Sequence, residues 1–276
     1  MSEFLPTTLE EIQQRGWEQI DFLFISGDAY VDHPSFGPAV ICRVLESKGY
    51  KVAMLSQPDW KAGKSLTALG KPRLGVLISG GNLDSMLCHY TAARKLRKKD
   101  NYTPGGIMGK RPDHATVVYS KLAKKLWPDL PVIIGGIEAS LRRFAHYDYW
   151  ENKLLPSILI ESGADLLIYG MGEKQVVEIA DYLAGGADIS TIHYVRGTSY
   201  TCNDLQDVAE QYVSLPSYES ILQDKKLLAN AYKLQSDEQD PFYGKIVVQQ
   251  FASRYVVQNQ ATYPLTEEEM DAIYDL

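Results

Sequence analysis

Short apolar runs that end in glycine constrain the fold of this chain more than any other feature of its sequence. They lie over 22–25, 74–78, 132–134 and 166–169, and a glycine follows each of them within two residues. Runs of this length are typical of buried strands. Because the carboxyl ends of parallel strands meet at one edge of a sheet, the runs predict a glycine-rich edge at which a ligand can approach the backbone closely.

Helical patterns separate these runs. Apolar residues recur at helical spacing over 1–20, 37–49, 113–127, 149–162 and 173–184, and a further strand is expected over 51–55. Gly49 marks the end of one helix, since glycine readily adopts the left-handed conformation found there. Strands that alternate with helices predict an α/β fold, a doubly wound and mostly parallel Rossmann-like three-layer sandwich.

The pattern changes after residue 200. We expect a helix over 208–230, strands over 245–251 and 254–258 that can form a hairpin, and a last helix with a capping box at Thr266 and Glu269. The chain is therefore predicted to comprise a Rossmann-like module over 1–200 and a C-terminal α+β extension over 201–276. Because the capped helix is followed by so little sequence, we expect the natural protein to continue.

Composition and charge exclude several classes of protein. With 45% apolar and 23% charged residues, the chain has a globular composition, and no apolar run approaches the roughly 20 residues of a membrane-spanning helix. The N-terminus lacks the features of a signal peptide, so we expect a cytoplasmic location. A net charge of −7 argues against general nucleic-acid binding. The basic run over 94–99 is more typical of a solvated helix face, and 266–275 is acidic.

The glycine-rich edge supplies the candidate ligand-binding residues. Glycines there admit a ligand to the backbone, while carboxylates, hydroxyls and an arginine offer polar contacts. The candidates are Asp28, His33, Ser35, Ser79, Gly80, Gly81, Asn82, Gly135, Gly136, Glu138, Arg142, Gly170, Gly172 and Glu173. We predict no catalytic residue and no metal ligand in this segment, since the three cysteines are far apart and form no metal-binding motif.

Three segments near this edge allow more than one interpretation. His33 beside Asp32 could form an acid–base or metal pair, or instead Asp32 or Ser35 caps the next helix and His33 packs against it. The long connection over 80–113 predicts a lid or a helical excursion over 84–98 that covers the site. The aromatic stretch over 144–150 suits a flat ligand or a partner domain, or else forms an interdomain plug.

Common nucleotide and hydrolase motifs are absent. The sequence contains no Gly-x4-Gly-Lys-Ser/Thr phosphate loop, no Gly-x-Gly-x-x-Gly after the first strand and no Gly-x-Ser-x-Gly elbow. The usual ATPase, NAD-dependent and serine-hydrolase classes therefore lose support.

Several motifs together carry a family resemblance. Residues 132–136 and 165–173 look like the cobalamin-binding-type domain that precedes the core of many radical SAM enzymes. More closely, nearly the whole chain resembles the N-terminal region of the YgiQ-type radical SAM proteins, a bacterial family of unassigned reaction. The segments that carry this resemblance are 80–86, 102–106, 110–113, 135–143 and 146–150.

The resemblance implies a longer parent protein with a radical SAM barrel. In that barrel a Cys-x3-Cys-x2-Cys array would bind a [4Fe–4S] cluster and S-adenosylmethionine. Cys42, Cys88 and Cys202 lack this spacing, so we expect no cluster in this chain. The cobalt-ligand signature Asp-x-His-x-x-Gly of many corrinoid domains is also absent, because Asp32 and His33 are adjacent. Histidine ligation of cobalt is therefore unsupported, and cobalamin bound without it stays open.

Three functions follow from these expectations. The first is an accessory module that binds a substrate or a nucleotide-like group at the glycine-rich edge and presents it to the barrel. The second is a corrinoid-binding domain. The third is a non-catalytic interaction domain whose aromatic segment over 144–150 docks a partner. We expect no membrane association and no strong nucleic-acid signal.

Overall fold

A computed structural model shows how the chain folds and describes residues 4–61, 64–208 and 211–276. The helices are α1 (Leu9–Gln14), α2 (Gly37–Ser47), α3 (Ser85–His89), α4 (Ala115–Leu126), α5 (Gly136–Leu141), α6 (Ile158–Ser162), α7 (Glu173–Ala184), α8 (Tyr218–Gln223), α9 (Lys226–Asp237) and α10 (Glu267–Tyr274). The strands are β1 (Phe22–Ser26), β2 (Val52–Ser56), β3 (Gly75–Ser79), β4 (Val132–Gly135), β5 (His146–Asp148), β6 (Lys153–Leu155), β7 (Leu166–Ile168), β8 (Thr198–Cys202), β9 (Tyr212–Ser214), β10 (Ile246–Phe251) and β11 (Arg254–Gln258).

One sheet of nine described strands organises the molecule, in the order β2-β1-β3-β4-β7-β8-β11-β10-β9. The strands from β2 to β7 in this order pair in parallel, whereas β8 pairs antiparallel with β7 and β11. The chain leaves β1 for β2 on one side and returns to β3 on the other, so the strand order reverses between β1 and β3. The predicted α/β fold, with a mostly parallel doubly wound sheet, is confirmed.

Helices cover both faces of the parallel part of the sheet. Along β1, Phe22 and Phe24 join the apolar cluster beneath α2 and α7, while Leu23 and Ile25 join the cluster on the side of α4. Burial on both faces explains why these strands are apolar throughout instead of alternating with polar residues. Each fully buried side chain of this size contributes about 1.5–3 kcal/mol relative to an exposed one.

Capping residues define several helix ends as the sequence predicts. Thr8 and Glu11 form a capping box at the start of α1, and Thr266 and Glu269 form another at the start of α10. Gly49, just beyond α2, has a φ of +88°, which a residue with a side chain rarely adopts. The capping box at Thr266 and the helix end at Gly49 are confirmed, whereas the helix predicted over 1–20 is wrong outside Leu9–Gln14 among the described residues.

The helix predicted over 149–162 is wrong for most of its length. The structure has the antiparallel hairpin of β5 and β6 there, and α6 begins only at Ile158. Pro156 explains the late start, because the residue before a proline is disfavoured in helical conformation. Asn152, with a φ of +55°, allows the tight turn between the two strands.

The helix predicted over 208–230 is also wrong in its first part. Residues 209 and 210 lie outside the described chain, and Tyr212–Ser214 form β9, which pairs in parallel with β10. Helix begins only at Tyr218, after Pro216. The predicted pair of strands near the C-terminus is confirmed as the hairpin of β10 and β11. The sheet continues across residue 200 through β8, and the division into 1–200 and 201–276 stays a prediction.

Candidate functional site

A cavity of about 390 Å³ opens at the carboxyl ends of β1, β3, β4 and β7, between α2 and α7. This is the point at which the strand order reverses, where open α/β sheets bind their ligands. Its lining is mainly apolar and includes Phe24, Ile41, Leu77, Ile133 and Val176. A volume of this size is within the range of small-molecule sites.

Eight of the fourteen predicted ligand-binding residues line this cavity. They are Ser79, Gly81, Asn82, Gly135, Gly136, Gly170, Gly172 and Glu173. The structure therefore brings together residues from three separate strand ends that are far apart in sequence. That these residues bind a ligand stays a prediction.

Two glycines at the cavity permit close packing that a side chain would prevent. A Cβ at Gly172 would lie 3.0 Å from Cγ2 of Ile168, and one at Gly136 would lie 2.5 Å from Oγ of Ser79. Gly136 also has a φ of +80°, which glycine tolerates better than other residues. At these positions, glycine brings the ends of neighbouring strands together and keeps the crevice between them open.

The last helix forms one side of the cavity, which the sequence analysis did not predict. Leu265, Met270, Ile273 and Tyr274 line it from the side of α10, although no residue of that helix is buried. An ion pair of 2.6 Å between Lys174 Nζ and Glu269 Oε1 joins α10 to the first turn of α7. The sequence does place Met270, Ile273 and Tyr274 on one face of the helix, but this spacing does not show which surface that face contacts.

Asp28 lies outside the cavity lining, in a buried charge cluster. Arg111 Nη1 is 2.7 Å from Asp28 Oδ1, and its Nε and Nη2 each donate a hydrogen bond of 2.9 Å to the carboxylate of Asp100. Burial would raise the pKa of Asp100, but the hydrogen bonds from Arg111 and from the Tyr102 backbone and the Thr103 side chain, together with the charge of Arg111, lower that pKa. Asn82 N–H donates to Asp28 at 2.7 Å. The long connection over 80–113 is thus anchored to the ends of β1 and β3.

That connection contains little helix, and of its described residues only Gly81 and Asn82 line the cavity. The expected helical excursion over 84–98 is wrong beyond His89, where α3 ends. Arg111 also donates to the carbonyl of Gly80 at 3.0 Å, so both ends of the connection meet. A buried ion cluster of this kind holds a segment in one place, since removing one member would leave unpaired charges in the interior.

Glu138 and Arg142 are also engaged within the protein. Glu138 is 1% exposed and accepts hydrogen bonds from the backbone N–H groups of Ser85 and Thr116, at 2.8 and 2.9 Å. These are the first turns of α3 and α4, where backbone donors lack helical partners. Arg142 forms an ion pair with Asp84. Neither side chain lines the cavity, and their predicted role toward a ligand stays a prediction.

His33 and Ser35 are exposed and lie outside the cavity lining. The Nδ1 atom of His33 accepts a hydrogen bond of 3.1 Å from Ser35 N–H. The interpretation that Asp32 or Ser35 caps α2 is wrong, because no side chain of the preceding loop caps that helix and Asp32 pairs with Arg43. Instead, Oδ1 of Asn82, from the loop after β3, accepts the Gly37 N–H at 3.3 Å.

The thiols and histidines are not gathered into a metal-binding group in the described chain. Cys42, Cys88 and Cys202 lie in α2, α3 and β8, and burial raises the pKa of each, that of Cys88 to about 12. Protonated thiols so placed do not fit a [4Fe–4S] cluster. No histidine is among the described residues that line the cavity, so no imidazole is placed there to ligate the cobalt of a corrinoid. Across the described ranges, no metal-binding group of three or more His, Cys, Asp or Glu side chains is formed.

His146 provides a pH-dependent test of the aromatic segment. Burial lowers the pKa of its ring to about 4, and its Nδ1 bonds the Phe144 carbonyl at 3.1 Å. The unfolded chain binds this proton at a higher pH, with a pKa of about 6.5. The contribution of the neutral ring to the free energy of unfolding is therefore present above that pH and is lost as the pH falls toward about 4. Urea unfolding should show a contribution of about 2 kcal/mol lost between about pH 7 and about pH 5.

His146→Gln should remove that contribution, because glutamine does not titrate. The exposed His33→Gln serves as control and should keep the pH dependence of the wild type. An unchanged pH dependence in His146→Gln would show that the buried imidazole is not its source.

Comparisons with known proteins give a matching family model and similar proteins. The family model described as Radical SAM N-terminal matches residues 4–276. A UPF0313 protein of Clostridium perfringens (strain 13 / Type A) is 52% identical over 275 residues, which are 100% of this chain and 42% of that relative. A UPF0313 protein of Clostridium botulinum (strain ATCC 19397 / Type A) is 50% identical over 274 residues, 99% of this chain and 42% of its own length. The chain thus spans less than half the length of these relatives. Within its described parts, no helix has the length and apolar character needed to cross a bilayer.

Proposed function

This chain belongs to the radical SAM N-terminal family, and from that membership we propose that it is the accessory ligand-binding module of a radical SAM enzyme. The module binds a substrate or a nucleotide-like group in the cavity and presents it to the catalytic part of the longer protein. The [4Fe–4S] cluster and S-adenosylmethionine belong to that other part, because the three cysteines here do not fit a cluster.

The cavity at the strand-order reversal is the observation that carries this proposal. Apolar side chains supply most of its wall, and Ser79, Asn82 and Glu173 add polar groups to its lining. An apolar pocket with a few polar groups is the usual form of a small-molecule site, because the polar groups orient a ligand that apolar contacts retain. The ligand class that fits is a small molecule with an apolar body and a hydrogen-bonding end.

The wider assignment rests on the same family membership. We propose that the Rossmann-like module over 1–200 carries the ligand and that the extension over 201–276 leads to the radical SAM barrel. We also propose a cytoplasmic location. The position of α10 supports a link between ligand binding and the connection to the barrel, because this helix lines the cavity and belongs to the extension.

Fluorescence of 8-anilinonaphthalene-1-sulfonate tests the cavity in the purified chain. We expect saturable binding to the wild type and binding at least about tenfold weaker in Met171→Trp, a difference of about 1.4 kcal/mol. Met171 lines the cavity and is 56% exposed, so an indole fits there without entering the core and narrows the cavity.

Leu222→Trp is the matched control. Leu222 is 50% exposed on α8 and does not line the cavity, so this variant should bind the dye as the wild type does. Equal dye binding by Met171→Trp and the wild type would contradict the cavity as the binding site. Gel filtration after incubation with hydroxocobalamin tests the alternative that the chain is a corrinoid-binding domain. We expect the protein fraction to be colourless.

A further inference from the structure

A basic turn stands out on a protein whose net charge is −7. Five of the six residues over 94–99 are arginine or lysine, and all of them are exposed. None of these five forms an ion pair with the residues that the structure describes. This turn therefore presents a positively charged surface whose field attracts an anionic partner.

Backbone hydrogen bonds hold this turn in one conformation. Thr91 N–H donates to the Lys95 carbonyl at 2.9 Å, and Arg97 N–H donates to the His89 carbonyl at 2.7 Å. The Nε of Arg97 also donates to the carbonyl of Leu87 at 2.9 Å. The backbone that carries the charges is therefore held in one conformation, which lowers the entropic cost of binding a partner.

Aromatic rings adjoin the basic turn. Trp150 contacts Tyr149 and Tyr90, with ring centroids 5.0 and 5.8 Å apart, and the guanidinium of Arg94 lies 4.5 Å from the Tyr149 ring. The hydroxyl of Tyr149 donates to the carbonyl of Ala92 at 2.7 Å, which joins the two segments. Since Tyr149 is 46% exposed, part of this aromatic group faces solvent.

We propose that this surface, formed by residues 94–99 with Tyr90, Tyr149 and Trp150, binds single-stranded nucleic acid. The exposed cations contact the phosphates, and the rings, of which Tyr149 is the most exposed, stack on unpaired bases. An acidic protein segment would use the charges but not the rings, and the bases of a duplex are already stacked. The basic turn lies in the connection between β3 and β4, and Tyr149 and Trp150 lie in the turn between β5 and β6.

Fluorescence anisotropy with fluorescein-labelled oligouridylate and oligothymidylate of about 15 nucleotides tests the proposal on the purified chain. We expect dissociation constants of about 1–100 µM at low salt for at least one of them. The two oligonucleotides distinguish RNA from DNA as the source of the shared chemistry. Absence of binding to both would overturn the proposal.

Charge reversal separates this surface from general electrostatic attraction. The triple variant Lys95→Glu, Lys98→Glu, Lys99→Glu should weaken binding at least about tenfold and make the salt dependence shallower by about 2 in log–log slope. The control triple Lys225→Glu, Lys226→Glu, Lys245→Glu changes the net charge equally at exposed positions elsewhere. Equal losses in the two triples would refute a defined surface.

Removal of a ring tests the stacking contribution. Tyr149→Ala should weaken binding about tenfold, whereas Tyr232→Ala, which removes a tyrosine 70% exposed on α9, should leave binding unchanged. Far-UV circular dichroism confirms that each variant is folded. Tighter binding of polyglutamate or of anionic phosphatidylserine vesicles than of either oligonucleotide would assign the surface to an acidic protein or a membrane and overturn the proposal.

Discussion

Arg111→Met is expected to lower the free energy of unfolding by about 3–5 kcal/mol. Arg111 is fully enclosed, and so are Asp28 and Asp100, each 1% exposed. Methionine has a similar length but no charge, so two carboxylates would remain in the interior without a cation. Either they take up protons or they admit water, and both outcomes destabilise the connection over 80–113 that this cluster anchors.

The control for this variant is Lys233→Met. Lys233 pairs with Asp237 at 2.7 Å, as Arg111 does with Asp28, but the side chains of Lys233 and Asp237 are 72% and 53% exposed. An exposed pair contributes at most about 1 kcal/mol, because water solvates the remaining charge after its partner is removed. Urea unfolding of the two variants measures the difference. Equal stability losses would show that burial of the Arg111 cluster has no special consequence.

Gly27→Ala is expected to destabilise the protein by about 3 kcal/mol, at the upper end of overpacked core substitutions. An alanine Cβ at position 27 would lie 2.3 Å from the carbonyl oxygen of Gly80 and 2.9 Å from its carbon. These are backbone atoms of the loop after β3, so no side-chain rotation relieves the contact. The ends of β1 and β3 would have to separate, and the shape of the cavity beside them would change.

Gly37→Ala provides the matched comparison. Gly37 begins α2, and a methyl group at this position would have no atom within 4 Å, so alanine there should leave the stability unchanged or slightly higher. Thermal unfolding should distinguish the variants. If Gly27→Ala unfolded at the same temperature as Gly37→Ala, the close approach of the two strand ends would not be a requirement of the fold.

Local sequence patterns predict the parallel half of the molecule well. α7 spans Glu173–Ala184, as its helical spacing predicts, and both capping boxes form within four residues of chain. Interactions of this kind depend on neighbours in sequence, so the pattern contains the information. The helices predicted over 149–162 and 208–230 are wrong where short strands pair with other strands, β5 with β6 and β9 with β10. Such strands are too short to show a clear period.

The sequence identifies the polar residues at the candidate site, but it does not show whether their side chains face the cavity or the interior of the protein. Asp28 and Glu138 stand at strand ends as a ligand-binding carboxylate would, yet Arg111 occupies the first and the backbone of α3 and α4 occupies the second. Arg111 is 83 residues from Asp28 along the chain, and Ser85 is 53 residues from Glu138. Hydrogen-bond pairing over such distances depends on the folded arrangement and leaves no local pattern.

The glycine-rich edge of the parallel sheet, where four strands end, follows from the amino-acid sequence alone. Strand periodicity and the conformational freedom of glycine are local properties, so they are visible along the chain. Two features appear only in the folded molecule. α10 forms one side of the crevice, and Asp28 pairs with Arg111 outside it. Both depend on which distant segments compete for the same buried surface, and that competition is resolved only when the chain packs.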